Sequence, residues 1–364
     1  MVDPGAPAEA GAADLRPVLA AFAEQRLRAV LVELPGWLVD GGHRFFWVYL
    51  LSFVLLGAVA YQRSYRGAPG ASGGFLRFLF PPEVYLHASA MLDVKLLLMN
   101  RLLGPSTLLA RLLLGPLSVT WVATMTQSAL LGLGGAGHEP AAWSTATLAV
   151  FVLATALVDD FATYVVHALH HRWPLLWEFH KVHHSAEVLT PLTVYRKHPV
   201  YNLLSRVTNI AIVGPFQGLI AALFAGPADP VTLFGANVVF SLFHLLGANL
   251  RHSHVWLSFG PRLSHVFISP AQHQIHHSKA PQHWDKNFGE VFALWDWMFG
   301  TLYVPGRERE ALEFGVAGDA GQEHATLWQA YFVPFANCGE LLRGHVSRLL
   351  PAPSARPRSA VPPA

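Results

Sequence analysis

The residues of this chain that could do chemistry are histidines, and they come in three tight groups. The first reads His167-Ala-Leu-His170-His171, the second His180-Lys-Val-His183-His184, and the third His273-Gln-Ile-His276-His277. Of the 20 histidines, 15 lie between His167 and His283, a stretch of 117 of the 364 residues. On a helix, residues three or four apart are neighbours, with Cβ atoms ~5–6 Å apart. HxxHH is therefore expected to aim three imidazoles at one point, and HxxxH two. A lone histidine is more often a capped surface residue, which sets aside His43, His87, His138, His324 and His345. Two HxxHH triplets and one HxxxH beside apolar segments point instead to metal. His170 is the expected bystander, about 100° from His171 and about 60° from His167 on the helical wheel.

The ligand set also limits the metal. Eight or more neutral imidazoles exceed the four positions of tetrahedral zinc. Cys338 is the only cysteine, so no thiolate or disulfide framework competes, and the Glu-x-x-His pairs of carboxylate di-iron bundles are missing. Imidazole suits iron, copper, nickel and zinc, so ligand number, more than softness, points to two metals. Two irons with open positions could activate dioxygen, which side chains alone do poorly. Asp160, Tyr164, His167 and His171 step by 4, 3 and 4 along one helix face, making Asp160 and Tyr164 candidate outer partners. Asp285, Lys286, Asn287 and Glu178 could orient ligand imidazoles, whose second ring N–H usually goes to an oxygen acceptor, or could form a turn or meet the membrane surface.

The elements that must hold these groups are read from composition. Apolar residues make up 52% and charged residues 13%, about half the charged share of a soluble domain. Net charge is +2 and no block of Lys/Arg resembles a nucleic-acid arm. Five apolar segments, 45–61, 112–133, 145–164, 207–224 and 231–250, are near the ~20 residues needed to cross a bilayer; the first is short and could only dip in. Residues 62–111 and 165–206 are rich in Lys/Arg, whereas GGAGHEPAAWST (134–145) and AGPADP (225–230) have none. By the positive-inside rule the histidine loops face the cytoplasm. An odd number of spans would then put Arg16, Arg26 and Arg28 outside, a conflict at the N-terminal end.

Residues 1–44 lack a signal-peptide layout and are expected to form an amphipathic surface segment. The expected organisation is that segment, a membrane-embedded catalytic domain over 45–305, a helical extension over 306–345 and a Pro-rich tail over 346–364. Trp173, Trp177, Trp295 and Trp297 are expected at the membrane interface. The fold class is all-α: an integral membrane helical bundle of four or five apolar segments with a cytoplasmic helical cap carrying the histidines. No iron–sulfur run, nucleotide loop or haem module is apparent.

The clusters and their flanks, WEFHKVHHS and FISPAQHQIHHS, together with DFATYVVH (160–167), TVYRKHP (193–199) and DKNFGEVFALWDWMFGT (285–301), resemble the fatty acid hydroxylase/sterol desaturase superfamily over roughly residues 85–305. The resemblance implies a membrane di-iron oxygenase that uses O₂ to hydroxylate or desaturate C–H bonds of a lipid: fatty acyl, sterol, sphingolipid, ether lipid or carotenoid. Its ligands would be His167, His171, His180, His183, His184, His273, His276 and His277. One more normally comes from a His-Ser-Asn-like stretch, here RHSHV, which makes His252 the candidate, with His254 in the usual Asn place and His244 a weaker alternative. His198, in RKHP, is a further ligand or outer-shell candidate. Electrons would come from outside, from a ferredoxin or a b-type cytochrome with its reductase. The rival reading is a histidine-rich membrane metal-binding or transport protein without oxygenase activity.

Overall fold

The structure is a computed structural model that describes residues 16–66, 74–134, 141–224, 232–233, 236–306, 308–318 and 323–349. His138, the loop 225–230 and the Pro-rich stretch 350–364 lie outside the described residues. The described chain is helical. α1 (Arg16–Trp37) and α2 (Trp47–Ala60) lead into two single turns, α3 (Phe75–Leu79) and α4 (Pro82–Tyr85), followed by α5 (Ala88–Leu103), α6 (Pro105–Leu114) and α7 (Val119–Gly134). The site is carried by α8 (Thr145–Arg172), α9 (Pro174–His184), α10 (Pro199–Leu223), α11 (Val238–Leu245), α12 (Gly260–Leu263), α13 (Pro270–His276) and α14 (Leu294–Met298). α15 (Leu327–Leu349) closes the described chain.

Among the described residues, three helices are long and apolar enough to cross a membrane: Leu109–Leu133, which bends between α6 and α7, Thr145–Arg172 and Pro199–Leu223. Their outward faces expose Trp121, Met125, Leu133, Val150, Leu153 and Leu219, as a lipid-facing surface does. α10 packs mainly on α7 and α8, and its Gly214-x-x-x-Gly218 allows the closest approach. A Cβ on Gly218 would sit 2.4 Å from Ala123 O, the small-residue packing that membrane helices use.

Two of the five expected spans are corrected. Residues 45–61 lie in α2 and its π-helical continuation, an apolar helix over Trp47–Arg63 that at ~25 Å falls short of a core of ~30 Å. Residues 231–250 do not form one helix. Thr232–Leu233 pairs with Ala236–Asn237, α11 follows, and the chain turns at Gly247 (φ 100) into a 3₁₀ turn, Ala248–Leu250. The cause is local polarity. Asn237 caps α11 through Oδ1, and the buried Ser241 and Asn249 take Tyr49 Oη–H and the Arg44 guanidinium as partners.

Local signals place the histidine helices. Ser144 and Thr147 form a capping box that starts α8. α8 ends because Pro174 forces Trp173 out of the helical region (φ −104, ψ 117) and then opens α9 as its first residue. Ser269 and Gln272 cap α13 in the same way, with Pro270 first. Arg196, 2% exposed, ties α9 down: its Nε donates to Val182 O (2.9 Å) while Nη1 pairs with buried Asp93 (3.1 Å).

Candidate metal centre

Nine imidazoles converge in two groups. His167, His171, His180, His184 and His276 form one, and His183, His252, His273 and His277 the other; within each group the candidate ligand nitrogens lie within 4.8 Å of one another. The groups touch, with His184 and His277 stacked at 4.7 Å between ring centroids and His276 and His277 at 5.4 Å.

This geometry corrects the expectation that each HxxHH aims at a single point. His180 and His184, four apart, join the five-histidine group, while His183 turns to the other. His273 and His277 join the four-histidine group, while His276 crosses to the first. Successive helical residues diverge by about 100°, so each His-His doublet sends one ring to each centre. The motif is a bridge between two centres.

The donors fit a pair of metal ions. In the five-histidine group, His167 Nδ1 donates to Phe288 O (2.8 Å) and His276 Nδ1 to Lys286 O (2.8 Å), while His171 Nδ1 lies 3.6 Å from Asp285 Oδ1. Their Nε2 atoms are buried without any hydrogen-bond partner, an arrangement that costs free energy unless a cation is present. A ring that gives one N–H to an oxygen and aims the other nitrogen inward is arranged as a metal ligand with an outer partner would be.

In the four-histidine group, the Nε2 atoms of His252, His273 and His277 form a triangle of 3.0, 3.1 and 3.2 Å, with His183 Nε2 3.3 Å from His252. Neutral imidazole nitrogens cannot satisfy a closed triangle by hydrogen bonding, because each ring carries one proton. Ligands ~2.1 Å from a shared ion at right angles would be ~3.0 Å apart, close to these edges. One contact is in tension with an ion there. Arg251 Nη2 donates to His273 Nδ1 (2.8 Å), which places the neutral ring's proton on Nε2, so metal binding requires its loss or a shift of the guanidinium. Burial, then the neighbouring imidazoles and cations, holds His180, His183, His184, His252, His273, His276 and His277 well below the ordinary histidine pKa. They are neutral at pH 7, the form that binds metal.

Other candidates are placed elsewhere. His198 caps α10: its Nδ1 accepts from Val200 N (3.1 Å) and its Nε2 donates to Tyr331 O (3.1 Å), which uses both nitrogens. His254 donates to Phe78 O (2.6 Å), and His244 stacks on Tyr49 at 5.1 Å; neither joins a group. His170 turns back to Val166 O (2.7 Å). Tyr164 meets Thr301 Oγ1 (3.2 Å) and packs on Phe288, touching no ligand nitrogen. Asp160 accepts Val291 N (2.7 Å) and Phe292 N (3.1 Å), so it anchors a loop. Glu178 pairs with Lys181 at 2.7 Å, not with His180. Of the four tryptophans expected at the interface, Trp173 and Trp297 are exposed, Trp295 packs on Phe161, and Trp177 packs at a tilt on His171 and His184 at 5.0 and 5.3 Å.

The sequence pointed to Asp285, Lys286 and Asn287 as residues that could orient the rings, but not to the backbone carbonyls of Lys286 and Phe288 as the partners. Asp285 and Asn287 have left-handed φ values of 56 and 57, the two such non-glycine residues among those described. They flank Lys286 and set the carbonyls of Lys286 and Phe288 on the ligands. Asn287 fixes the loop through Gln272 O (3.0 Å) and Tyr303 N (2.8 Å), and Asp296 accepts Phe288 N (2.8 Å) and Gly289 N (2.7 Å). A carbonyl leaves no mark in side-chain spacing. The adjacent polar residues were the available signal.

The family model for fatty acid hydroxylase matches residues 152–301, a span containing all nine histidines. Over residues 152–301 the chain is therefore similar to the fatty acid hydroxylase family. The chain is 32% identical to the ornithine lipid hydroxylase OlsE of Rhizobium tropici over 54% of this chain and 53% of that protein. It is 27% identical to human alkylglycerol monooxygenase over 49% and 34% of the two chains. With the rice (indica) very-long-chain aldehyde decarbonylase GL1-1 it is 29% identical, over 49% and 27%. The chain thus spans about half the length, or less, of these relatives. No solved structure matches it.

Proposed function

We propose that this chain is a membrane-bound, O₂-dependent lipid oxygenase whose fatty acid hydroxylase domain holds two irons, one per histidine group. The observation that carries this reading is the pair of touching imidazole groups opening onto a cavity of about 760 Å³ that His167, His180, His183, His252 and His273 line. When bound, the irons would supply the dioxygen activation that no side chain here provides. The protein's own part is positional. The nine histidines bind, while the carbonyls of Lys286 and Phe288, with Asp285, orient three of the rings. Phe288, fully buried, covers His167, His171 and His276 and excludes water from their faces. The cavity holds the lipid so that one C–H bond faces the site. Hydroxylation and desaturation share this arrangement.

The Lys/Arg-rich loops support a cytoplasmic site, where a ferredoxin or b-type cytochrome with its reductase would deliver electrons. The membrane-embedded catalytic domain is proposed to run over 45–305, with 1–44 as a surface segment, a helical extension over 306–345 and a tail over 346–364. The test is lipid mass spectrometry of cells with and without the gene, grown under ¹⁸O₂. A lipid that gains one labelled oxygen, or loses two hydrogens, only when the gene is present is the expected result. Identical lipid profiles would overturn the reading.

A further inference from the structure

The large cavity carries charges that oxidation of a plain hydrocarbon does not need. Arg44, Lys197 and Arg251 line it, together with the metal-ligand candidates His183, His252 and His273. Arg251 is 5% exposed and in direct contact with His273. Its Nε is buried without a hydrogen-bond partner, although the rest of the guanidinium holds Gly289 O and Glu290 O. Arg44 gives Nε and Nη2 to Asn249 Oδ1, a neutral acceptor (3.1 and 3.0 Å). Among the described residues, the Lys197 ammonium has no carboxylate within ion-pair distance and lies 5.3 Å over the Tyr201 ring. The three cations are near neighbours. After burial, Glu290 raises the Lys197 pKa while Arg44 and Arg251 lower it, and all three cations act on His252.

This is a poor place for unpaired cations. All nine ligand candidates are neutral, so bound metal would add uncompensated positive charge. Asp159, Asp160 and Glu290 line the same cavity, but Asp160 is spent on two backbone N–H groups, and among the described residues none of the three forms an ion pair with Arg44, Lys197 or Arg251. Desolvated charge is retained where a ligand completes it. The cavity also opens along the membrane helix α8 and is lined by Phe240, Phe243 and Val239 of α11, which suits acyl chains attached to a charged head.

We infer that this cavity binds the acidic headgroup of a lipid, a phosphate or carboxylate held by Arg44, Lys197 and Arg251, so that the C–H bond presented to the metal centre lies in or beside the head. The inference rests on the oxygenase reading for its metal and deepens it by naming the substrate class. An uncharged head would leave the three cations unpaired.

The experiment measures binding to the full-length protein, purified in detergent with and without iron, of four probes: dioctanoyl phosphatidic acid, a dioctanoyl lipid with a carboxylate head, dioctanoylglycerol, and inorganic phosphate. Acidic lipids are expected to bind at least ~10-fold tighter than dioctanoylglycerol, the scale of one charge-assisted contact. Lys197→Gln should remove most of that difference without changing dioctanoylglycerol binding, and it breaks no hydrogen bond among the described residues. The ratio between the two acidic lipids assigns phosphate or carboxylate. Equal binding of charged and uncharged lipids, or equal loss of both in Lys197→Gln, would overturn the inference. Inorganic phosphate binding as tightly as phosphatidic acid would overturn the lipid assignment. Acidic-lipid selectivity in a protein that takes up no iron would sink the oxygenase reading and leave this site standing.

Discussion

The two histidine groups share α9 and α13, with α8 completing the first and His252 the second, but they are held by different means. In the five-histidine group, three rings are fixed by oxygen acceptors: Phe288 O, Lys286 O and Asp285. Among the described residues, the four-histidine group has no such oxygen partner; its rings face one another, and Arg251 holds His273. The surroundings differ too. A cavity of about 280 Å³, lined by His171, Trp177, His184, His276, Trp284 and Asp285, adjoins the first group. The second faces the larger, cation-lined cavity, which the first reaches through His167 and His180. One centre is thus anchored through backbone carbonyls, and the other is left adaptable beside the substrate space. The split doublets His183-His184 and His276-His277 couple them.

Replacing one ligand on each side gives the strongest challenge to this contrast. His276→Ala and His273→Ala should each lower product formation by at least ~10³-fold, because an oxygenase with one open centre lacks its chemistry. Retention of activity in either variant would break the pairing of the groups. A smaller effect separates the two groups. Asp285→Ala should weaken metal binding by ~10–100-fold at the five-histidine group alone, the usual cost of losing an outer partner, as read by metal titration. Equal weakening at both groups would erase the distinction drawn here.

Asp160→Ala removes the acceptor of two loop amides and should cost about 3 kcal/mol of stability, seen as a lower unfolding temperature in detergent. Asp160→Asn should recover part of it, since one carbonyl oxygen remains. An unchanged midpoint would show that the loop holds itself. The pH dependence has a fixed sign. The folded rings outside the spans are held below the ordinary histidine pKa, by burial first, so the unfolded chain takes up protons first as pH falls through ~6.5. The metal-free protein should keep constant histidine-linked stability above that pH and lose stability below it; a midpoint that rises on acidification would contradict this. The smallest effect is expected from His254→Asn and His198→Gln, which should leave metal content unchanged because neither ring reaches a group.

Much of the site was legible in the sequence because helical spacing carries side-chain direction. His167 and His171, His180 and His184, and His273 and His277 each lie four apart, and each pair meets as that spacing requires. The division of the triplets was equally present in the 100° step but was masked by counting three histidines as one unit. Arg251 and Lys197 were visible only as loop charges, since nothing in a single sequence marks a basic residue as buried. The fold was legible where apolar runs were long, as in α8 and α10. It misled at 231–250, where Asn237, Ser241 and Asn249 break an apolar average that remains high.

The most direct test of the central claim is metal analysis of the purified full-length protein beside His276→Ala and His252→Ala. The account predicts about two irons per wild-type chain and about one in each variant, lost from opposite groups. A single zinc per chain, no metal, or a wild-type iron content untouched by both substitutions would contradict it.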